Sequence, residues 1–333
     1  MNRLVLSICV LLIAACGGSR PDVPEIRIPK GAGGVGFLPL LVMEQQALIE
    51  QHARKAGLEV RVRWIDLGGP TIVNDALLSG SADFIAAGPP AFITLWDRTR
   101  GSVQVKGVAA MTSLPMYLNT RADHLRRLDD LTDGDRIAVT AVKVSIPSLI
   151  MQMYARAKYG EAAAGRFDRY TVTMTHPDGV IALLSGSGAV SAHFTSPPFH
   201  QRERKDPRIR TIMTSDDVMG GSTTFTMIST TTKFRDDNPT IYAAVLKALE
   251  EANAIILADK PAAAAVLLAS TGEGGFSQGE IVDVLSDPSI KFTTTPENVK
   301  KYADFMHGIG SITTQPDSWK DLFFPEIHGT SGS

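Results

Sequence analysis

The chain has 333 residues, 44% of them hydrophobic and 20% charged, with a formal net charge of −2. That composition excludes a disordered or collagen-like chain, and the absence of a basic excess excludes an electrostatic nucleic-acid binder. The only cysteines, Cys9 and Cys16, lie at the extreme N-terminus, which excludes a scaffold built on disulfides.

Residues 1–16 read as an address. Arg3 is followed by an apolar run from Leu4 to Ala15, too short for the roughly 20 residues of a spanning helix and suited to a signal h-region. The run ends Leu12-Ile13-Ala14-Ala15-Cys16-Gly17. Small residues directly before a cysteine resemble a bacterial lipobox, in which Cys16 becomes the lipidated first residue. The alternative is an ordinary signal peptide, 1–15, cleaved near Ala15. Both readings export the protein, and 16–24 is then a lipidated cysteine and flexible tether.

Beyond Pro24, strand and helix patterns alternate. Strands are expected at Glu25–Lys30, Glu59–Leu67, Ala82–Ala87 and Val103–Met111, with helices at Phe37–Ala56, Thr71–Ser79 and Pro90–Thr99 between them. A second alternating block begins near residue 129, with strands at Ile137–Thr140, Thr171–Thr175, Val190–Phe194 and Ile209–Thr214, and helices at Pro147–Lys158 and Asp178–Leu184. Pro115–Arg121 and Thr223–Thr230 read as two strands running between the blocks. In Pro239–Ala258, Ile241, Val245, Leu249, Ala252 and Ile256 form one apolar stripe. Further helices are expected at 260–269, 277–286, 296–307 and 316–323, and the tail 328–333 is expected to fray.

The pattern predicts an α/β fold built of these two blocks, each a mostly parallel sheet flanked by helices. In such sheets ligands sit beyond the strand carboxyl ends, where helix N-termini offer unpaired N–H groups.

The run Ala76-Leu77-Leu78-Ser79-Gly80-Ser81-Ala82-Asp83-Phe84, followed by Gly88-Pro89-Pro90-Ala91, is the most informative. A helix covering the sheet must end at Gly80, which accepts the left-handed position, and the small apolar strand after it suits burial on both faces. This helix–turn–strand with its Gly-x-Pro-Pro-type turn resembles the nitrate/sulfonate/taurine family of ABC-importer solute-binding proteins, which also includes binders of thiamine-pyrimidine precursors. Gly33–Phe37, the run Asp129–Thr140 and the segment Ala192–Phe199 (AHFTSPPF) match in order and spacing. The resemblance spans roughly 25–310. It implies a two-lobed, type II periplasmic-binding-protein architecture, with a discontinuous lobe 1 (25–116 plus 228–333), a lobe 2 (117–227) and a cleft between them that closes on a ligand, a small-molecule solute as cargo, and an ABC permease with its ATPase as partners.

The candidate ligand-binding residues sit at strand carboxyl ends. In lobe 1 they are Gly34, Val35, Gly36 and Phe37 in the first loop, Gly69 in the second, Gly88 and Pro89 in the third, and Thr112 after the fourth strand. In lobe 2 they are Lys143 and Ser145, then His193, Phe194 and Thr195; Phe225 lies on the second crossing strand. Phe37, Phe194 and Phe225 could wall the solute, Lys143 could neutralise an anion, and Thr112 and His193 could hydrogen-bond. Each also has a plain structural role open to it: Ser145 as an N-cap, Lys143 as a solvated cation, His193 as a core partner.

Gly31-Ala32-Gly33-Gly34-Val35-Gly36 fits G-x-G-x-x-G, yet the acidic residue at the end of the second strand is Asp66, too far along for a dinucleotide fingerprint. His176, His193 and His200 lack zinc-ligand spacing, and no nucleophile elbow or Walker A sequence occurs. The expectation is therefore a monomeric, non-enzymatic receptor without metal or cofactor, held in the periplasm by a lipid anchor. It would bind a sulfonate, carboxylate or heterocycle with an apolar body. The alternatives are a ligand-sensing partner of a membrane kinase, and an enzyme like the thiamine-pyrimidine synthases, which use a cysteine-rich segment absent from this chain.

Overall fold

The computed structural model describes residues 23–31, 33–67, 69–271 and 275–333. The signal sequence, Cys16 and most of the tether lie outside the described residues. The strands are β1 (Glu25–Pro29), β2 (Arg61–Ile65), β3 (Ile85–Ala87), β4 (Val105–Ser113), β5 (Tyr117–Thr120), β6 (Ile137–Val139), β7 (Thr171–Thr173), β8 (Ala192–Thr195), β9 (Arg210–Thr214), β10 (Thr224–Thr231) and β11 (Lys291–Phe292).

β1 and β2 pair in parallel, while β11, β4, β10 and β3 form a sheet in that order. The two pieces join where the amides of Asp83 and Phe84 donate to the Arg27 carbonyl and the Arg27 guanidinium forks onto the Asp83 carboxylate. The other sheet runs β7-β6-β8-β5-β9. Each sheet thus receives one antiparallel strand from the crossing chain: β10 between β3 and β4, and β5 between β8 and β9. The antiparallel sense follows from the route. The chain leaves the first sheet at the carboxyl end of β4 and enters the second beside the carboxyl end of β8, where Tyr117 pairs Thr195. It returns with Thr224 opposite Ser113. Both crossings therefore lie at the cleft.

Residues 224–227 were expected in lobe 2, but they pair with β4 and belong to the first sheet. Thr224, Phe225, Thr226 and Met227 are buried there, and the change of sheet falls in the short turn before them, which carries Gly220 and Gly221.

The single helix expected over 37–56 is two, Leu38–Gln45 and Leu48–Lys55, broken where Ala47 takes a left-handed conformation at φ 49°. No glycine or proline marks that break, so the sequence held no signal for it. The helix expected at 316–323 shortens to a 3-10 turn, Trp319–Leu322. The tail does not fray: the Ser333 amide donates to the Pro296 carbonyl, and its own carbonyl accepts from Val299 at the start of the helix Val299–Gly308. The stripe of Pro239–Ala258 is buried as patterned, from Ile241 to Ile256.

Candidate functional site

Four helices begin at the cleft, each directly after a strand. Pro70–Leu78 is capped by Gly69, Pro89–Thr99 by Gly88, Ile146–Tyr159 by Ser145 and His176–Ser185 by Thr175. Ser145 and Thr175 are true side-chain caps, accepting from the Ser148 and Asp178 amides. First-turn amides without intrahelical partners and four converging positive dipole ends favour an electron-rich atom between them.

The N-termini enclose two adjoining cavities. The inner one, about 80 Å³, is walled by Phe37, Phe225, Ile146, Val144, Met116 and Pro90, with Ser145, Thr140, Thr226 and His176 as its polar side chains. The outer one, about 670 Å³, shares Gly31, Gly69, Thr140, Val144 and His176 with it and adds Ile72, Met174, Thr175 and Pro177. Among the described lining residues there is no Lys, Arg, Asp or Glu. Pro90, Pro147 and Pro177 lack N–H groups, so each removes one donor from a helix start and substitutes an apolar ring. The arrangement suits a small solute with an apolar body and an acceptor group.

Of the fourteen candidates, Phe37, Gly69, Gly88, Ser145 and Phe225 line the inner cavity. The others lie around it in different roles. Gly36 has no side chain because Phe225 occupies that space: a Cβ there would sit 2.2 Å from the ring. Its carbonyl accepts from Thr226 Oγ1 at 2.6 Å and Thr112 Oγ1 at 3.2 Å, so Thr112 holds the first loop instead of facing the cavity. Gly34, at φ 81°, and Val35 meet the other lobe: the Val35 amide donates to the Pro197 carbonyl at 3.4 Å, and Phe199 lies against Gly34. Pro89 starts its helix in the core. Phe194 is fully buried, and Thr195 Oγ1 is buried without a hydrogen-bond partner among the described residues. Lys143 is exposed and lines neither cavity.

His193 is fully buried behind the wall and does not line it. It connects His176, which does line the wall, to Glu203: His176 Nδ1 lies 3.1 Å from His193 Nε2, and His193 Nδ1 lies 2.5 Å from Glu203 Oε1. Asn119 Nδ2 donates to Glu203 Oε2 at 2.7 Å and meets His200 Nδ1 at 3.1 Å. Phe199 stacks on His176 with centroids 5.4 Å apart. Sequence reasoning considered His176 only as a zinc ligand. The signal that could have found it is its position at the first residue of a helix behind a strand, after the Thr175 cap.

Burial, reinforced by the neighbouring His193, holds His176 well below the ordinary histidine range. Burial and then the nearby Arg204 push His200 down to about 4. A histidine kept neutral by the fold takes up its proton more readily when unfolded. Its contribution is complete above the unfolded pKa of about 6.5 and is lost as pH falls toward the folded value. The melting temperature should therefore drop between pH 6.5 and about 4. His200→Gln, which keeps a polar group beside Asn119, should flatten part of that drop in a pH series of thermal scans. An unchanged slope counts against His200 as a source.

No protein-family model matches the sequence, and no curated protein matches it. Solved structures match its fold. The alkanesulfonate-binding protein SsuA from Xanthomonas axonopodis pv. citri, bound to MOPS, superposes with a TM-score of 0.67 at 16% identity, over 89% of this chain and 96% of that one. The periplasmic aliphatic sulphonate binding protein SsuA from Escherichia coli gives 0.63 at 17%, over 92% of each chain. The periplasmic nitrate-binding protein NrtA from Synechocystis PCC 6803 gives 0.63 at 15%, over 91% and 85%. At these identities the likeness is one of architecture, and it agrees with the two matching sheets and the cleft between them: this chain has the fold of the periplasmic nitrate- and sulfonate-binding proteins.

Proposed function

We propose that the protein is an exported receptor that binds a small organic solute between its lobes and hands it to an ABC permease, making and breaking no bond. The observation that carries this reading is the cavity itself. It sits at the carboxyl ends of strands from both sheets, faces four helix N-termini, and has no charged side chain among its described lining residues. Closure about the crossings at 114–116 and 220–223 would strip water from the solute and let both lobes touch it. The exported context of the N-terminal sixteen residues supports a periplasmic location, with Cys16 as a lipid anchor. The likeness in fold to sulfonate- and nitrate-binding proteins supports the solute-receptor role. Lining without arginine or lysine supports a solute whose apolar body supplies much of the affinity.

Thermal denaturation against alkane- and arylsulfonates, taurine, nitrate, aromatic carboxylates and pyrimidines tests this. A solute at 100 times its Kd should add about 2.7 kcal/mol, a rise of roughly 4 °C for a chain of this size. Arylsulfonates or aromatic carboxylates are expected to outperform nitrate. The absence of a shift from every class, repeated after unfolding and refolding to release any carried ligand, counts against the receptor reading.

A further inference from the structure

Among the described residues lining the two cavities, His176 is the only one with a titratable side chain. Its Nδ1 faces His193, which leaves Nε2 as the nitrogen available to the cavity. Which of the two nitrogens carries the hydrogen decides what a solute must offer there.

The answer is set two residues away. His193 and Glu203 are both fully buried, and Glu203 pairs with no lysine or arginine among the described residues; Arg204, its neighbour in sequence, donates instead to the Ile209 carbonyl. An ionised carboxylate beside a neutral imidazole would bury a net negative charge without a counter-cation, which is strongly unfavourable. One further proton makes the pair neutral overall. It can sit on the carboxyl, which then donates to His193 Nδ1, or on the imidazole, which then donates to the carboxylate. In the first case the imidazole's own hydrogen is on Nε2, and in the second both nitrogens carry one. Both forms direct an N–H from His193 Nε2 at His176 Nδ1, 3.1 Å away. A neutral His176 that accepts at Nδ1 carries its hydrogen on Nε2.

We propose that the Glu203–His193 pair fixes His176 as a hydrogen-bond donor on the cavity wall, and that the solute presents an acceptor to Nε2–H: a sulfonate, carboxylate or carbonyl oxygen, or an aromatic ring nitrogen. This rests on reading the cavity as a solute site. The four helix starts are donors as well, so the wall selects for acceptors and against ammonium or guanidinium groups.

The test is ¹⁵N NMR of the intact protein carrying ring-labelled histidine at neutral pH, with the His176 signals assigned by their loss in His176→Asn. The expected result is a protonated Nε2 and a bare Nδ1. A protonated Nδ1 with a bare Nε2 overturns the proposal. Glu203→Gln gives an independent reference. The amide hydrogen of Asn119 requires the glutamine oxygen, so the glutamine NH₂ must face His193 Nδ1 and force the hydrogen onto His193 Nε2. The native protein and this variant should share one His176 tautomer, and a difference between them overturns the proposal. In thermal scans, benzenesulfonate and benzamide should stabilise the native protein and benzylamine should not. A shift from benzylamine exceeding those of the other two overturns the acceptor clause. No shift from any of the three overturns the solute reading of the cavity, while the tautomer result stands on its own.

Discussion

Gly36→Val should weaken solute binding and the fold together. A Cβ at this position would lie 2.2 Å from Phe225 Cε1 and 2.3 Å from Cδ1, far inside contact distance. The backbone cannot retreat, because the Gly36 carbonyl is held by the hydroxyls of Thr226 and Thr112 in the first sheet. The Phe225 ring must move instead, and that ring is a wall of the inner cavity. Overpacking of this kind costs about 1–3 kcal/mol in stability. A displaced ring in so small a space should weaken the best solute at least about tenfold, or roughly 1.4 kcal/mol. Calorimetric titration and urea denaturation read the two effects separately. Phe225→Ala placed on top of Gly36→Val should recover part of the lost stability, since the two residues contest one volume and their effects cannot add. If Gly36→Val melts and binds as the native protein does, the first loop is not packed against Phe225 as described.

Glu203→Ala should be the most damaging single change in the second lobe, at about 3–5 kcal/mol, because removing one member of a buried pair strands the other. It would leave His193 Nδ1 without its hydrogen-bond partner and one hydrogen of the Asn119 amide without an acceptor, in a site that water does not reach. Glu203→Gln keeps the shape and both contacts in neutral form and should cost far less. The contrast between the two in equilibrium denaturation is the measurement that matters. Equal losses would mean that Glu203 contributes packing volume and not hydrogen bonds.

The residues differ in how readily their roles could be read. Phe37, Gly69, Gly88, Ser145 and Phe225 were legible as cavity residues because strand carboxyl ends face the cleft in any sheet of this kind, and these five lie there in sequence. His193 was legible as a polar residue at such an end, but not as a buried link. Along β8 the side chains alternate between faces, and only pairing with β5 and packing of the following helix, Phe199–Arg204, puts Glu203 behind it. Lys143 stands out in the sequence by charge alone, and its backbone, at φ 68°, belongs to a turn in which it is exposed. The break at Ala47 and the tying down of Ser333 were equally invisible, since each depends on a partner distant in sequence or on a conformation that no residue type advertises.

By itself, then, the sequence determined the alternation of strands and helices, the export signal as an expectation, the two blocks and the helix starts that ring the cleft. These follow from hydrophobic period, caps and turn residues, which act over a few positions of chain. Only the tertiary structure decided that the crossing strands insert antiparallel into opposite sheets, that Phe225 takes the volume Gly36 leaves free, and that His176 faces the cavity backed by His193 and Glu203. Those contacts join residues 10 to 189 positions apart. Their energies arise from shared volume and buried hydrogen bonds, which local patterns in a sequence do not encode.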